Sequence, residues 1–292
     1  MPFPDYIHQR PRIIFFTDFD GTITTEDICD WLVATEGYGP ERLRESCQAV
    51  VDGTISYRYV NAANMCTYAF SLFRFAVNRV SKYLGCSEAS RQQLESINIG
   101  FDKCTEKVAA HVRLDDHFLD FYRWAKSVSM PIVVLSGGLT PWIEVTLEKY
   151  LEQETECIEI VANSVLVRNG FTSMNEDGGA WRVQFRDDTV YGNNKAQAIK
   201  LYTEYRETME EADKPILLFA GDGVSDLGAA GHTDLLFAKQ GQDLANYCEQ
   251  LQIPFIEFKH WGSILDITRD LYYGKKSVTQ VAEESGCEQQ FK

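Results

Sequence analysis

The sequence predicts an α/β protein: a doubly wound parallel sheet of Rossmann-like type, carrying an inserted all-helical segment and a small β-hairpin extension. Three observations lead there. Short, nearly continuous apolar runs recur along the chain, as strands buried on both faces of a parallel sheet require. Amphipathic segments of helical length separate them. One long stretch, from Thr24 to Ala110, breaks that alternation with helix-like patterns and no convincing strand.

The strand runs come in order as RIIFFT (Arg12–Thr17), PIVVLSGG (Pro131–Gly138), PILLFAGDG (Pro215–Gly223), DLLFAK (Asp234–Lys239) and PFIEF (Pro254–Phe258). Strand formers dominate each, and proline or aspartate bounds them. Of the intervening segments, DDHFLDFYRWAKSVS precedes the second run and TPWIEVTLEKYLEQ follows it, with Thr140 as N-cap and Pro141 in the first turn. NNKAQAIKLYTEYRETMEEADK precedes the third. IEIVANSVLVRNGF and WRVQF, around the turn NEDGGA, read as a peripheral antiparallel hairpin. The domain boundaries expected are therefore a core of residues 1–23 and 111–275, a helical cap of residues 24–110 and a polar C-terminal tail of residues 276–292. Following directly on the first strand, the insert would hang over the strand ends as a cap.

Composition narrows the function classes. The 292 residues are 45% hydrophobic and 24% charged, the balance of an ordinary globular protein. No apolar run reaches the ~18 residues of a membrane span, and MPFPDYIHQRPR lacks the apolar centre of a signal peptide. A cytoplasmic protein with no membrane partner is the expectation. With 28 Lys and Arg against 43 Asp and Glu, the formal net charge of −15 repels nucleic-acid backbones, and no nucleic-acid partner is expected. Any anionic ligand must then be held by a local device. The eight cysteines never form C-x-x-C, and the five histidines are scattered, so neither a zinc site nor a histidine base is indicated. The residues leave open whether the protein is a monomer or a homodimer.

In a doubly wound sheet, ligands bind beyond the carboxyl ends of the strands. Asp18, Ser136 and Asp222 each close an apolar run and should converge there. Asp18 and Asp20 stand one residue apart with no cation beside them in sequence. Taken alone, DFDGT also reads as a turn with a helix cap. A calcium loop does not fit it, because Ile23 stands where such a loop needs glycine and Cys29 where it needs glutamate.

DFDGT after one strand, LSGG after a second, a lysine before a third and then GDGVSD resemble, in order, the four signatures of the haloacid dehalogenase superfamily. The spacing and the helical insert are similar to its phosphoserine-phosphatase-like branch. Within it the chain resembles fungal members of unassigned or sugar/polyol-phosphate specificity and, around DLLFAKQGQDLANYCEQ, a bacterial methionine-salvage phosphatase. The resemblance implies a Mg²⁺-dependent phosphatase acting on a small-molecule phosphate monoester.

The chemistry of the residues agrees. A phosphate monoester resists attack because its oxygens are negative; catalysis needs a nucleophile, a cation and a proton donor for the leaving alkoxide. Asp18 would be the nucleophile that forms an aspartyl-phosphate. Asp20 would protonate the leaving oxygen, its pKa raised by a crowding like charge and partial burial. Thr22, Ser136, Gly137 and Lys195 would bind the phosphate, with Gly138 also open to close approach. Asp18, Asp222 and, by the resemblance, the backbone carbonyl of Asp20 would hold Mg²⁺. Asp226 and Ser225 stand behind the ion, Asp226 on a metal water or on Lys195. Lys200, further along the same helix, is expected in solvent.

Departures from the branch bear on the substrate. Phosphoserine phosphatases carry Asn just before the last aspartate, where this chain has Ser225. Their cap arginine, seven residues after an aromatic, is matched by Asn64 after Tyr57, and a neutral amide cannot replace a guanidinium–carboxylate pair. A gapped alignment would bring Arg58 or Arg74 into that role. Asp27 matches the acidic cap residue. Asp27, Tyr57 and Asn64 suit a sugar or polyol phosphate. Phosphoserine and methionine-salvage substrates are the alternatives, and a non-catalytic phosphometabolite sensor or a phosphotransferring mutase are the competing classes.

Overall fold

Strand β1 (Ile13–Thr17) lies at the centre of a seven-stranded sheet and is buried along its whole length. Its neighbours are β2 (Ile132–Leu139) and β5 (Ile216–Gly221), both parallel to it, with Phe15 opposite Ile132 on one side and Leu218 on the other. Outward from β5 come β6 (Leu235–Lys239) and β7 (Ile256–Phe258), again parallel. Outward from β2 come β3 (Ile158–Val167) and β4 (Trp181–Gln184), paired antiparallel. The order is β4-β3-β2-β1-β5-β6-β7. Strand order therefore reverses at β1 and β5, the place where such sheets bind ligands. The computed structural model describes residues 9–51, 91–151, 155, 157–189 and 191–285.

Helices α1 (Ile28–Glu36), α2 (Pro40–Val51), α3 (Phe101–His111) and α4 (Phe118–Ser127) lie between β1 and β2 in sequence, and α5 (Thr140–Leu151) follows β2. Next come α6 (Lys195–Arg206), a 3-10 segment (Val224–Gly231), α7 (Asp243–Leu251), α8 (Trp261–Tyr272) and α9 (Val278–Glu284). The five predicted core strands are present within one or two residues, and the first hairpin strand stops at Val167, four residues short of Phe171. LSGG does not follow β2 but continues it, so Ser136 is a buried strand residue.

The chain divides into two compact units. The first, Met1–Ile28, Lys107–Ala162 and Asn194–Lys292, contains most of the sheet. Its centre is aromatic: Phe15 meets Phe121 edge-on at 4.8 Å between ring centroids, and Trp261 lies 4.7 Å from Phe121. Each such side chain buried contributes roughly 2–3 kcal/mol. The chain leaves and re-enters this unit through a short antiparallel pairing. Thr24 bridges Leu114, Asp115 N donates to Ile23 O at 2.8 Å, and Thr25 N donates to Arg113 O at 3.0 Å.

The second unit joins Cys29–Glu106 to Asn163–Asn193. The hairpin segment, expected as an appendage of the core, thus groups with the helical insert. The contacts explain why. Buried Trp181 donates its indole N–H to Ile99 O at 3.1 Å and packs edge-on against Phe101. The loop before β4 caps the start of α3: Met174 O, Asn175 Oδ1 and Asp177 Oδ1 accept from the backbone of Phe101, Asp102 and Gly100. Those groups are the orphan donors of a helix N-terminus.

The segment from residue 276, expected as a tail, contains α9. A reciprocal cap between Ser277 and Gln280 starts it, and Val281 and Ala282 are buried. Among the described residues no helix is long and apolar enough to cross a membrane.

Candidate active site

Beyond the end of β1 the chain turns sharply, and Gly21 takes a left-handed backbone conformation, φ +71°. A Cβ on that residue would lie 2.2 Å from Asp222 Oδ2, so the turn after β1 and the turn after β5 touch where only glycine fits. Asp18 N also donates to Ala220 O at 2.8 Å, extending the β1–β5 pairing into the site.

Lys195, first residue of α6, is the centre of the cluster. It is buried, and its Nζ lies 2.8 Å from Asp18 Oδ2 and 2.7 Å from Asp226 Oδ1. The helix start that delivers it is capped by Asn194, whose side chain accepts from Gln197 N. Burial alone would loosen the lysine proton, but Asp18 and Asp226 outweigh it and hold the pKa well above the usual lysine range. Lys195 and Asp18, 177 positions apart in sequence, are thus an ion pair; the cation missing beside DFDGT comes from α6.

Asp226 is fully buried and has both oxygens engaged. Oδ1 meets Lys195, and Oδ2 accepts from Asp222 N at 3.1 Å and Gly223 N at 3.0 Å. A Cβ on Gly221 would collide with this carboxylate at 2.4 Å, which is why the motif needs glycine there. Asp226 therefore orients Lys195 and the turn. Exposed Ser225 makes no side-chain hydrogen bond among the described residues.

Asp18, Asp222 and Asp226 gather carboxylate oxygens within 4.8 Å of one another. Burial, then the neighbouring charge of Asp226, raises the pKa of Asp18 well above the carboxylate range, with Lys195 opposing. The same two causes push Asp222 up to about 6. Asp20 is raised too, by burial and then by the charge of Asp27, so the like charge crowding it is not that of Asp18. Asp20 Oδ1 accepts from Ile28 N at 3.0 Å, capping the start of α1. The carboxylate expected to handle the proton is therefore also a helix cap.

Thr22 is placed differently from expectation. Its buried hydroxyl donates to Asp222 Oδ1 at 2.9 Å, so its proton is committed to a carboxylate and not to a phosphate. Ser136 Oγ accepts from Gly138 N at 2.9 Å, which takes that amide out of the set facing a ligand. Gly137 is exposed, with open space where a side chain would stand. Asp27 is exposed beside Asp20, and Lys200 pairs on the surface with Glu204. Tyr57, Asn64, Arg58 and Arg74 lie outside the described residues.

The donor set fits a cation. Asp222 has one oxygen beyond that bonded to Thr22, and Asp18 contributes a carboxylate. In the turn, the carbonyls of Asp18, Phe19, Gly21, Thr22 and Ile23 all accept hydrogen bonds. Among the described residues the carbonyl of Asp20 accepts none, which leaves it as a third hard oxygen donor.

Sequence reasoning did not find Lys239, Asp115 or Trp261. Lys239, at the end of β6, donates from Nζ to Gly21 O at 2.5 Å. Asp115 Oδ1 accepts from the backbone N–H groups of His117 and Trp261, at the starts of α4 and α8. Trp261 Nε1 donates to Thr22 O at 2.9 Å. A lysine closing an apolar run was the one available signal.

The haloacid dehalogenase-like hydrolase model matches residues 15–231, spanning all four strand-end motifs. The chain belongs to that family. This hydrolase is 32% identical to the polyol phosphate phosphatase PYP1 of Saccharomyces cerevisiae, over 93% of the chain and 99% of the relative. It is 33% identical to Pdp3-interacting factor 1 of Schizosaccharomyces pombe, over 90% of the chain and 96% of the relative. Its fold is similar to that of a substrate-bound phosphoserine phosphatase (TM-score 0.51, 14% identity, covering 81% of this chain and 90% of the other). The hydrolase is a phosphatase of the haloacid dehalogenase type, and its Asp18–Lys195–Asp226 cluster lies beyond the ends of β1 and β5.

Proposed function

We propose that this phosphatase hydrolyses a small sugar or polyol phosphate with Mg²⁺ held by Asp18, Asp222 and the carbonyl of Asp20. One observation supports it most: buried Lys195 joins Asp18 to Asp226 at 2.8 and 2.7 Å, with Asp222 in the same group of oxygens. That arrangement gives a carboxylate nucleophile a positive neighbour that also attracts a phosphoryl oxygen. Similarity to a relative named as a polyol phosphate phosphatase supports the substrate class.

When bound, the divalent ion neutralises charge on the phosphoryl oxygens and the carboxylates around them. The residues of the chain do the rest. An oxygen of Asp18 attacks phosphorus while the ester P–O bond breaks, giving an aspartyl-phosphate and an alcohol. Asp20, anchored by Ile28 N through Oδ1, gives its proton to the departing alkoxide. It then takes a proton from a water molecule that attacks the same phosphorus. The P–O bond to Asp18 breaks, and phosphate leaves. Lys195 holds the phosphoryl oxygens against the acidic surface, with Ser136 and the amide of Gly137 on the β2 side. Asp27, exposed beside Asp20, is the side chain assigned to the hydroxyls of the substrate.

Hydrolysis of p-nitrophenyl phosphate with Mg²⁺, with EDTA and by Asp18→Asn tests the chemistry. Wild type turns over only with the metal, and the variant loses at least about 10³-fold in kcat. An Asp18→Asn enzyme as fast as wild type would refute the nucleophile. A phosphate-release panel of phosphoserine, glycerol phosphates, pentose and pentitol phosphates and methionine-salvage intermediates tests the substrate class. A clear preference for phosphoserine would overturn it.

A further inference from the structure

Three consecutive carbonyls of the turn carrying Asp18 and Asp20 are each held by a donor from elsewhere in the chain. Gly21 O accepts from Lys239 Nζ at 2.5 Å, Thr22 O from Trp261 Nε1 at 2.9 Å and Ile23 O from Asp115 N at 2.8 Å. The first differs in kind. It is a long cationic side chain reaching from the end of β6, two strands from β1 in the sheet. Ordering a lysine this way gives up much of its side-chain freedom, and solvent at the strand end would be the cheaper surroundings. The charges of Asp115 and Asp222 favour the ammonium as it donates to Gly21, against the cost of its burial.

The bonded carbonyl belongs to the most pliable residue of the turn. Gly21 sits at φ +71° against Asp222, with no room for a Cβ between them. A shift of Gly21 therefore alters the distance from Asp20 to Asp222, and with it the position of the Asp20 carbonyl.

We propose that Lys239 is a positioning residue: anchored on β6, it fixes the Gly21 carbonyl and thereby the spacing of the Asp18–Asp20 turn against Asp222. The proposal rests on the phosphatase reading for its kinetic consequence and on geometry alone for its structural one.

Lys239→Met and Lys239→Arg test it, compared with wild type in p-nitrophenyl phosphate hydrolysis, thermal unfolding and amide hydrogen exchange. Lys239→Met lowers kcat about 10- to 100-fold while KM moves less than about threefold, because misplacement of reacting groups acts on the transition state. Exchange quickens several-fold in the peptide covering residues 19–24 and stays unchanged in the peptide covering β2. Lys239→Arg, which keeps a cationic donor, recovers part of the lost kcat and slows that exchange again. A Lys239→Met enzyme within about twofold of wild type in kcat, with wild-type exchange in residues 19–24, overturns the proposal. So does exchange that rises equally across the sheet, the mark of a merely stabilising lysine. If Lys239→Met does not fold, the same thresholds apply to Lys239→Gln. Wild type inactive on every phosphomonoester would refute the phosphatase reading; the exchange comparison would still decide the strut.

Discussion

At the scale of single residues, the site is a set of carboxylates separated by what each oxygen is already bonded to. Asp226 has spent both on Lys195 and two backbone amides, so it organises; Asp222 has given one to Thr22 and retains the other. Gly21 fixes how near the two acidic turns come. Gly21→Ala places a methyl 2.2 Å from Asp222 Oδ2 at a φ that alanine adopts only with strain. We expect at least about 100-fold loss of kcat and about 1–3 kcal/mol of stability, measured by steady-state hydrolysis and denaturant unfolding. A variant keeping more than a third of wild-type kcat would show that the contact relaxes freely. The gathering of Asp18, Lys195, Asp222 and Asp226 was legible in the sequence because strand ends and helix starts converge at one edge of a doubly wound sheet. The bond from Thr22 to Asp222 was not legible, because its motif position does not say which neighbour takes the hydroxyl proton. Lys239 and Trp261 were invisible for a different reason. Each acts on a backbone carbonyl, which every residue carries, so no spacing in the sequence marks the partner.

At the scale of elements, α8 contributes more than packing. Trp261 begins it, fills the aromatic centre against Phe15 and Phe121, and reaches the turn through its indole N–H. Trp261→Phe keeps much of the ring and loses that donor, leaving Thr22 O unpaired in the interior. The expected cost is about 1–3 kcal/mol plus a smaller packing term, read as a lowered midpoint in urea. An unchanged midpoint would mean that water replaces the indole. The strands were legible because a parallel sheet buried on both faces leaves an unbroken apolar signature. The grouping of Asn163–Asn193 with the helical insert was not. It depends on Trp181 finding Ile99 and Phe101, and on an acidic loop capping α3, both contacts between segments far apart in sequence. Likewise α9 hid in a polar tail, since only its cap and two buried residues distinguish it.

At the scale of the whole molecule, a net charge of −15 surrounds a site meant for an anion. Lys195 and the divalent ion proposed for the site act at short range, whereas the surface field acts before the substrate arrives. Raising ionic strength from about 0.01 M to about 0.15 M shortens the screening length from roughly 30 to 8 Å and should raise kcat/KM for a dianionic ester. Measured at saturating Mg²⁺, a fall in kcat/KM with salt would mean that local positive charge governs approach instead. Residues 23–25 and 113–115 meet as one antiparallel rung. The excursion from the core begins and ends at a single clasp, so the entropy of closing that loop is nearly indifferent to what lies within it. Segments of other length and sequence can be spliced between those two points without re-registering any strand of the parallel sheet. Any such segment must still supply, at position 28, the backbone N–H that Asp20 accepts, so exchange is free only beyond the first turn of α1.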